Sequence, residues 1–257
     1  MGGDDRLLAT LVARIREARR LTILTGAGVS AGSGVPTFRG ADGLWKQYRA
    51  TDLATPEAFA RNPRLVWEWY AWRREKIAAC RPNRAHEVLA AWTMRNPHCH
   101  LVTQNVDDLH VRAASHLRAG HGAERLIRLH GSIWELSCWN RCTMSPRSWR
   151  DERVPLPEPM PTCPACGGLA RPAVVWFGEA LDRRDVEAAR AVAACDVFVT
   201  IGTSAVVYPA AGFLHDAREH GAFTAEINLE ETPASSSVDL AIRQPAEVAL
   251  DAIEAAL

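Results

Sequence analysis

Short apolar runs alternate with longer amphipathic segments along most of the chain. The runs are four to eight residues long, mostly apolar on both faces, and most end in Gly, Asn or Ser. This pattern is typical of buried parallel strands. The predicted strands are LTIL (21–24), CHLVTQN (99–105), LIRLHG (126–131), VFVTIGTS (197–204) and FTAEIN (223–228).

Helical periodicity fills the segments between these runs. It covers the first twenty residues and the stretches 65–79 and 183–194. Alternation of such helices with buried strands favours an α/β fold with a doubly wound, mostly parallel sheet that is Rossmann-like. Ligands of that architecture bind beyond the carboxyl ends of the strands.

Residues 137–168 break this alternation. They are rich in Pro, Arg and Cys, have no helical or strand period, and are too long for an ordinary connection. We therefore predict a Rossmann-like domain of residues 1–136 and 169–257, with a small zinc-binding domain inserted at 137–168.

Four cysteines of this insert form two close pairs. Cys138 and Cys142 are separated by three residues, and Cys163 and Cys166 by two. Paired thiolates at such spacing suit one tetrahedral, structural Zn²⁺ that would stabilise the insert. Two disulfides or two incidental pairs are the alternatives. We expect the remaining cysteines to be small buried hydrophobes: Cys80, Cys99 and Cys195.

The composition limits the kinds of molecule that this chain is expected to bind. Thirty basic residues balance thirty acidic ones in 257, so there is no excess of positive charge of the kind that binds nucleic acid. No run reaches membrane-spanning length, and charges at Asp4, Asp5 and Arg6 interrupt any signal sequence. We expect a cytoplasmic monomer with reduced thiols that acts on a peptide or a small molecule.

Polar residues follow the predicted strands. The loop GAGVSA (26–31) satisfies the G-x-G-x-x-A form of the dinucleotide fingerprint but runs into SGVPTFR instead of a helix. TQNVDD (103–108), LHGS (129–132), GTS (202–204) and NLE (228–230) end other strands. Each alone is explained by a helix cap or a turn. Together they supply amides for a pyrophosphate and one base near neutrality.

Seven motifs in this order resemble the sirtuin family: GAGVSAGSGVPTFRG, TQNVDDLH, LHGS, the two Cys pairs, RPAVVWFGE, GTSAVVYPA and INLE. The resemblance covers residues 21 to about 230 and implies an NAD-dependent deacylase acting on lysine side chains of proteins or peptides. NAD would be consumed, giving nicotinamide and O-acyl-ADP-ribose. The loop SGVPTFR, which follows the glycine-rich fingerprint, would close over the nicotinamide end of NAD.

The resemblance also implies residue roles. His130 would be the general base, taking a proton from a ribose hydroxyl, and Asn105 would act with Asp107 on the carboxamide and the adjacent ribose. Phe38 would shield the reacting carbon, and Arg39 would neutralise phosphate charge. The implied NAD-binding set is Gly26, Ala27, Gly28, Val29, Ser30, Ala31, Phe38, Arg39, Gln104, Asn105, Val106, Asp107, Gly202, Thr203, Ser204, Asn228, Leu229, Glu230 and Ala246. The implied peptide-binding stretch contains Val174, Val175, Phe177, Gly178 and Glu179.

Tyr70 and Arg73 lie three residues apart and so share one helix face. Many helices carry Tyr and Arg at this spacing for structural reasons alone, with the tyrosine packed and the arginine solvated. The Y-x-x-R pattern at this place resembles the class III sirtuins, which implies removal of succinyl and malonyl groups, with weaker deacetylation. A guanidinium can form two parallel hydrogen bonds with the carboxylate at the end of such an acyl chain.

Four alternatives remain at this stage. The chain could be a plain NAD-dependent deacetylase or an ADP-ribosyltransferase of the same family. From other classes come a nicotinamide-dependent oxidoreductase, with Asp52 as a ribose-binding acid, and a non-enzymatic, NAD-sensing zinc module.

Overall fold

A computed structural model describes residues 3–36, 44–45, 47–116, 125–156 and 160–257. The helices are α1 (Gly3–Glu17), α2 (Ala50–Leu53), α3 (Pro56–Arg61), α4 (Pro63–Ala79), α5 (Arg84–Arg95), α6 (Leu109–His116), α7 (Arg183–Ala193), α8 (Gly212–Glu219) and α9 (Ala246–Ala256). The strands are β1 (Leu21–Thr25), β2 (Leu44–Trp45), β3 (Tyr48–Arg49), β4 (Cys99–Thr103), β5 (Leu126–Arg128), β6 (Gly131–Cys138), β7 (Trp149–Arg150), β8 (Ala170–Val174), β9 (Val197–Ile201), β10 (Phe223–Ile227) and β11 (Leu240–Ile242).

A parallel sheet of six strands forms the larger part of the molecule, in the order β11-β10-β9-β1-β4-β5. Numbered along the chain these strands run 6-5-4-1-2-3, the order of the doubly wound dinucleotide-binding fold. β1 and β9 are buried at every position, because helices cover both faces of the sheet. The predicted α/β class is confirmed. The strand order reverses between β1 and β9, which places the ligand crevice at their carboxyl ends.

An antiparallel sheet, in the order β7-β6-β8, forms a second, smaller unit. It packs against α3 and α4 in one apolar cluster that contains Phe59, Trp67, Ile133 and Trp176. The sheet extends beyond residues 137–168 on both sides, since β6 begins at Gly131 and β8 ends at Val174. The unit around the four cysteines therefore shares its core with helices that come much earlier in the chain.

The predicted strands all form, but most are shorter than predicted. The last residues of the predicted strands, such as Gln104, Asn105 and Gly202, belong to the following loops. Sequence patterns missed β11, which is only three residues long, and β6, whose alternation is interrupted by an irregularity between Gly131 and Leu136. The segment 137–168 was expected to contain no strand, yet Trp149–Arg150 pairs with β6.

Candidate active site

Two glycine-bearing loops meet at the switch point of the parallel sheet. The amide of Gly26 donates to Ile201 O (3.0 Å) and the amide of Gly28 to Gly202 O (2.8 Å). A Cβ on Gly28 would lie 2.7 Å from the Gly202 Cα, and Gly202 itself has φ +58°. No side chain fits between the loops, so their backbones pack directly against each other at the carboxyl ends of β1 and β9.

The first loop continues as a 3₁₀ helix over Ala27–Ser33, which agrees with the expectation that no regular α-helix follows the fingerprint. Val29 and Ser30 are buried, while Ala31 is exposed. The Asn83 side-chain amide donates to Val29 O at 2.9 Å and so ties this turn to the start of α5. Phe38 and Arg39 lie outside the described residues.

A buried polar cluster lies beneath this turn. The Ser30 hydroxyl donates to Asp107 Oδ2 at 2.8 Å and accepts from Asn105 Nδ2 at 3.1 Å. The His86 Nε2 lies 3.2 Å from the same hydroxyl. Burial raises the pKa of Asp107, and the hydrogen bonds from the Leu109 amide and from Ser30 oppose this rise. Three of these side chains were predicted site residues, and the structure brings them together.

The cluster also contains a residue that sequence analysis missed. His86 is fully buried, and burial lowers its pKa to about 4, so the imidazole is neutral. The Asn83 side chain caps α5, and His86 stands at the third position of that helix. The pattern N-x-x-H at a helix start was the available signal, but nothing local shows that this helix end faces a ligand crevice.

His130 lies between the two sheets, two residues after the end of β5 at Arg128 and directly before β6. Its Nδ1 lies 2.8 Å from Gln104 O, which can only accept, so Nδ1 carries the proton and Nε2 is the accepting nitrogen. Burial lowers the pKa of His130, and the bond to Gln104 partly opposes this. Gly131 has φ +76°, and a Cβ there would lie 2.1 Å from Ala173 O. The residue after the base must therefore be glycine for β8 to pass.

The Tyr70 and Arg73 side chains point inward from α4. Tyr70 is 3% and Arg73 7% exposed. The Tyr70 hydroxyl accepts a hydrogen bond from Trp176 Nε1 at 2.8 Å, and burial raises its pKa to about 12. The Arg73 guanidinium lies 5.1 Å from the centre of the Trp69 ring. Burial lowers the Arg73 pKa, and electrostatic interactions with Tyr70 and Asp107 oppose this change.

The stretch after β8 turns sharply at Gly178. Phe177 and Gly178 are exposed, and Gly178 has φ +86°. Glu179 is held inside the turn: it accepts from Arg171 (2.5 and 2.8 Å) and from the Trp176 amide (2.8 Å). The amides of Val175, Phe177 and Glu179 donate to His130 O, Ala54 O and Trp176 O. These bonds hold the backbone of the turn from Val175 to Glu179 in place.

The far end of the crevice is built on β9 and β10. Thr203 is buried, and its hydroxyl accepts from Gln104 Nε2 at 2.8 Å, while its carbonyl accepts from Asn228 Nδ2 at 2.8 Å. Ser204 is half-buried, whereas Leu229 and Glu230 are exposed. Ala246 is buried at the start of α9, which packs against the 3₁₀ turn. The structure thus joins Gln104, Thr203 and Asn228 by hydrogen bonds, and it places Ala246 on the helix that packs against the 3₁₀ turn.

The four cysteines of the smaller unit converge. The sulfur atoms of Cys138, Cys142, Cys163 and Cys166 all lie within 4.8 Å of one another. Cys138–Cys166 and Cys142–Cys163 sulfur atoms are 3.7 Å apart, and all four are free thiols. Tetrahedral zinc with Zn–S bonds of about 2.3 Å requires sulfur separations of about 3.8 Å. The cluster fits a structural zinc, and the disulfide alternative does not hold. Cys80, Cys99 and Cys195 are buried, as predicted.

Comparison with known proteins identifies the family. The Sir2 family model matches residues 26–209, which include both glycine loops, the buried cluster, His130 and the cysteines. The chain belongs to the Sir2 family. A Sir2 relative from Aquifex aeolicus (strain VF5), named NAD-dependent protein deacylase, is 46% identical over 91% of this chain and 93% of its own.

Solved Sir2 structures show the same fold. A Sir2 homologue in complex with NAD is 42% identical, with a TM-score of 0.85 over 99% of this chain and 94% of that chain. A Sir2 variant with a deacetylated p53 peptide and 3′-O-acetyl-ADP-ribose is 28% identical, with a TM-score of 0.81 over 97% of this chain and 98% of that chain. Across the described part of this Sir2 chain, no helix combines the length and the apolar character needed to span a bilayer.

Proposed function

We propose that this Sir2-family enzyme is an NAD-dependent protein-lysine deacylase that prefers acyl groups ending in a carboxylate, succinyl and malonyl above all. The general activity is that named for its curated relatives. The acyl preference rests on one observation of this chain, the buried guanidinium of Arg73 beside the Tyr70 hydroxyl.

The crevice suits NAD. Gly26, Gly28 and Gly202 hold two loops in close contact at the carboxyl ends of β1 and β9, the switch point at which this fold binds a dinucleotide. Asn105 and Asp107 offer an amide and a carboxyl group that match a carboxamide, which both donates and accepts hydrogen bonds. When bound, NAD would supply an electrophilic ribose carbon and nicotinamide as its leaving group.

His130 would then take the proton of a ribose hydroxyl. Its Nδ1–H is fixed on Gln104 O, so Nε2 faces away from that bond as the acceptor. Its lowered pKa keeps the imidazole neutral at pH 7, as a base must be. The protein thus presents one oriented base at the joint between its two units.

Arg73 would select the acyl chain. Burial alone disfavours its charge, and a carboxylate at the end of the acyl group would form charge-assisted, bidentate hydrogen bonds that favour it. Because Trp176 already donates to Tyr70, the Tyr70 hydroxyl proton is directed elsewhere and can bind the same carboxylate. An acetyl group provides neither interaction.

The test compares kcat/KM for one peptide carrying succinyl-lysine or acetyl-lysine, with nicotinamide release as the readout. Arg73→Met is expected to lower succinyl turnover at least about 100-fold while it spares acetyl turnover, since a charge-assisted bidentate pair is lost. Arg64→Met, which removes an exposed arginine of the same helix, is the matched control and should change neither.

The outcomes separate the candidates. A preference for acetyl-lysine that Arg73→Met leaves unchanged would make this chain a plain deacetylase with Tyr70 and Arg73 as scaffold, and a succinyl preference that Arg73→Met leaves unchanged would contradict the role of Arg73. Reduction of NAD without nicotinamide release would indicate an oxidoreductase, and transfer of labelled ADP-ribose to protein would indicate an ADP-ribosyltransferase.

A further inference from the structure

Asp108, the residue after Asp107, carries a buried charge outside the predicted site. Its side chain is 1% exposed, and its backbone has φ +62°, a conformation that Asp and Asn adopt more readily than most residues. Two guanidinium groups reach its carboxylate: Arg128 Nη1 at 3.4 Å and Arg150 Nη1 at 2.5 Å. A buried carboxylate is tolerated only with such partners.

The two arginines come from different sheets. Arg128 ends β5 of the parallel sheet, and Arg150 ends β7 of the antiparallel sheet, between the second and third cysteines of the cluster. Arg128 also binds Glu135 at 2.9 Å, and Arg150 is the register partner of Glu135 across β6 and β7. Asp108 is thus the point where a network from both units converges.

The loop that precedes Asp108 is fixed to the smaller unit as well. The Ile133 amide donates to Val106 O (2.9 Å), and the Trp134 indole donates to Asp107 O (3.0 Å). These two bonds join neutral groups of the loop and of β6. The Asp108 ion pairs add charged attachments between the same loop and both sheets.

We infer that Asp108 is a positioning residue for NAD: its pairs with Arg128 and Arg150 fix the loop of Asn105 and Asp107 against the cysteine-bearing unit. The inference rests on the proposed binding of NAD in the crevice. The Asp108 carboxylate is buried and bound by two guanidinium groups, so in this proposal it acts through the loop and not by contact with NAD.

The experiment measures the NAD dissociation constant by calorimetry, and KM for NAD and for peptide by nicotinamide release. The variants are Asp108→Asn, Arg150→Gln and their combination. Asn keeps the size and the backbone preference of Asp but removes its charge. Glu152→Gln is the control, because it removes the exposed partner of Arg150 (2.6 Å) and leaves the buried pair.

Both single variants are expected to weaken NAD binding about tenfold, with KM for peptide unchanged and one zinc retained per chain. The double variant should bind NAD like Asp108→Asn, because that substitution already removes the charge that Arg150 binds. Glu152→Gln should bind NAD like the wild type.

Three results would overturn the inference: unchanged NAD affinity in Asp108→Asn, additive effects in the double variant, or loss of zinc and of native circular dichroism in Asp108→Asn. The last would make Asp108 a folding residue. Absence of NAD binding in the wild type would instead contradict the proposed function itself, so the two failures are distinguishable.

Discussion

Gly202 lies so close to Gly28 that a Cβ on Gly202 would meet the Val29 nitrogen at 2.4 Å and the Gly28 carbonyl carbon at 2.6 Å. Both loops therefore depend on backbone contact, and the amide of Gly28 binds the carbonyl of Gly202. The glycines of the dinucleotide fingerprint in this chain thus serve the packing of the two loops.

Gly202→Ala is expected to destabilise the protein by more than 2 kcal/mol, roughly, because a left-handed φ and a backbone clash combine. Urea unfolding measures the difference. Gly221→Ala is the matched control: Gly221 has φ +81° but nothing within 4 Å of a Cβ, so only the φ cost of about 1–2 kcal/mol remains. Equal losses in the two variants would show that the loop contact contributes nothing.

The activity of the enzyme is expected to fall on the acid side of pH 6.5 and to stay level between pH 7 and 8. Burial lowers the pKa of His130, so the imidazole is neutral over the upper range and is protonated only below the ordinary histidine pKa. The profile of kcat/KM measures this. An acid limb centred above pH 6.5 would contradict the assignment of the limb to His130.

His130→Asn is expected to lower kcat by about 10²- to 10⁴-fold, the usual contribution of a positioned base. The binding of NAD should persist, because the glycine loops and the buried cluster are untouched. His98→Asn, at an exposed position, is the control. Wild-type turnover in His130→Asn would rule out His130 as the base.

The protein is expected to lose stability as pH falls from 6.5 towards 4. The folded pKa of His86 is about 4 and that of His110 is well below 6.5, in both cases because of burial, whereas the unfolded values lie near 6.5. Above pH 6.5 neither group contributes. Below it the unfolded state binds more protons, and each histidine removes about 1.4 kcal/mol per pH unit.

Urea midpoints between pH 7.5 and 5 measure this loss. His86→Gln should reduce the slope of stability against pH, because one of the two buried imidazoles is gone, and His98→Asn should leave the slope as it is. The same slope in wild type and His86→Gln would contradict the assignment.

Removal of zinc is expected to destabilise the smaller unit and to weaken NAD binding. The four sulfur atoms lie within 4.8 Å of one another, where one zinc ion would bind all of them. Contacts between free thiols are much weaker than zinc–sulfur bonds and cannot replace them. A strong chelator should lower the thermal midpoint by on the order of 10 °C, equivalent to several kcal/mol at this size. Cys138→Ser should mimic the chelator, and Cys80→Ala, which alters a buried thiol outside the cluster, should retain zinc. Zinc-free protein with an unchanged midpoint would show that the cluster is incidental.

Sequence patterns predicted the parallel sheet because its strands are continuous apolar runs, as in β9, where every residue is buried. They also predicted the four-cysteine cluster, whose spacing alone determines it. They could not predict His86 in the site, or the hydrogen bond between Trp176 and Tyr70, whose residues are 106 positions apart. These depend on which faces of two elements meet, and local periodicity does not contain that information.

One set of contacts links the turn at residues 175–179 to helix α4. Arg171 binds Glu179 within the turn, and its guanidinium lies 3.4 Å from the centre of the Trp176 ring, whose nitrogen holds Tyr70. In the proposed enzyme, the binding of the peptide and the choice of the acyl group would therefore depend on the same contacts. Substitutions that alter one preference are expected to alter the other.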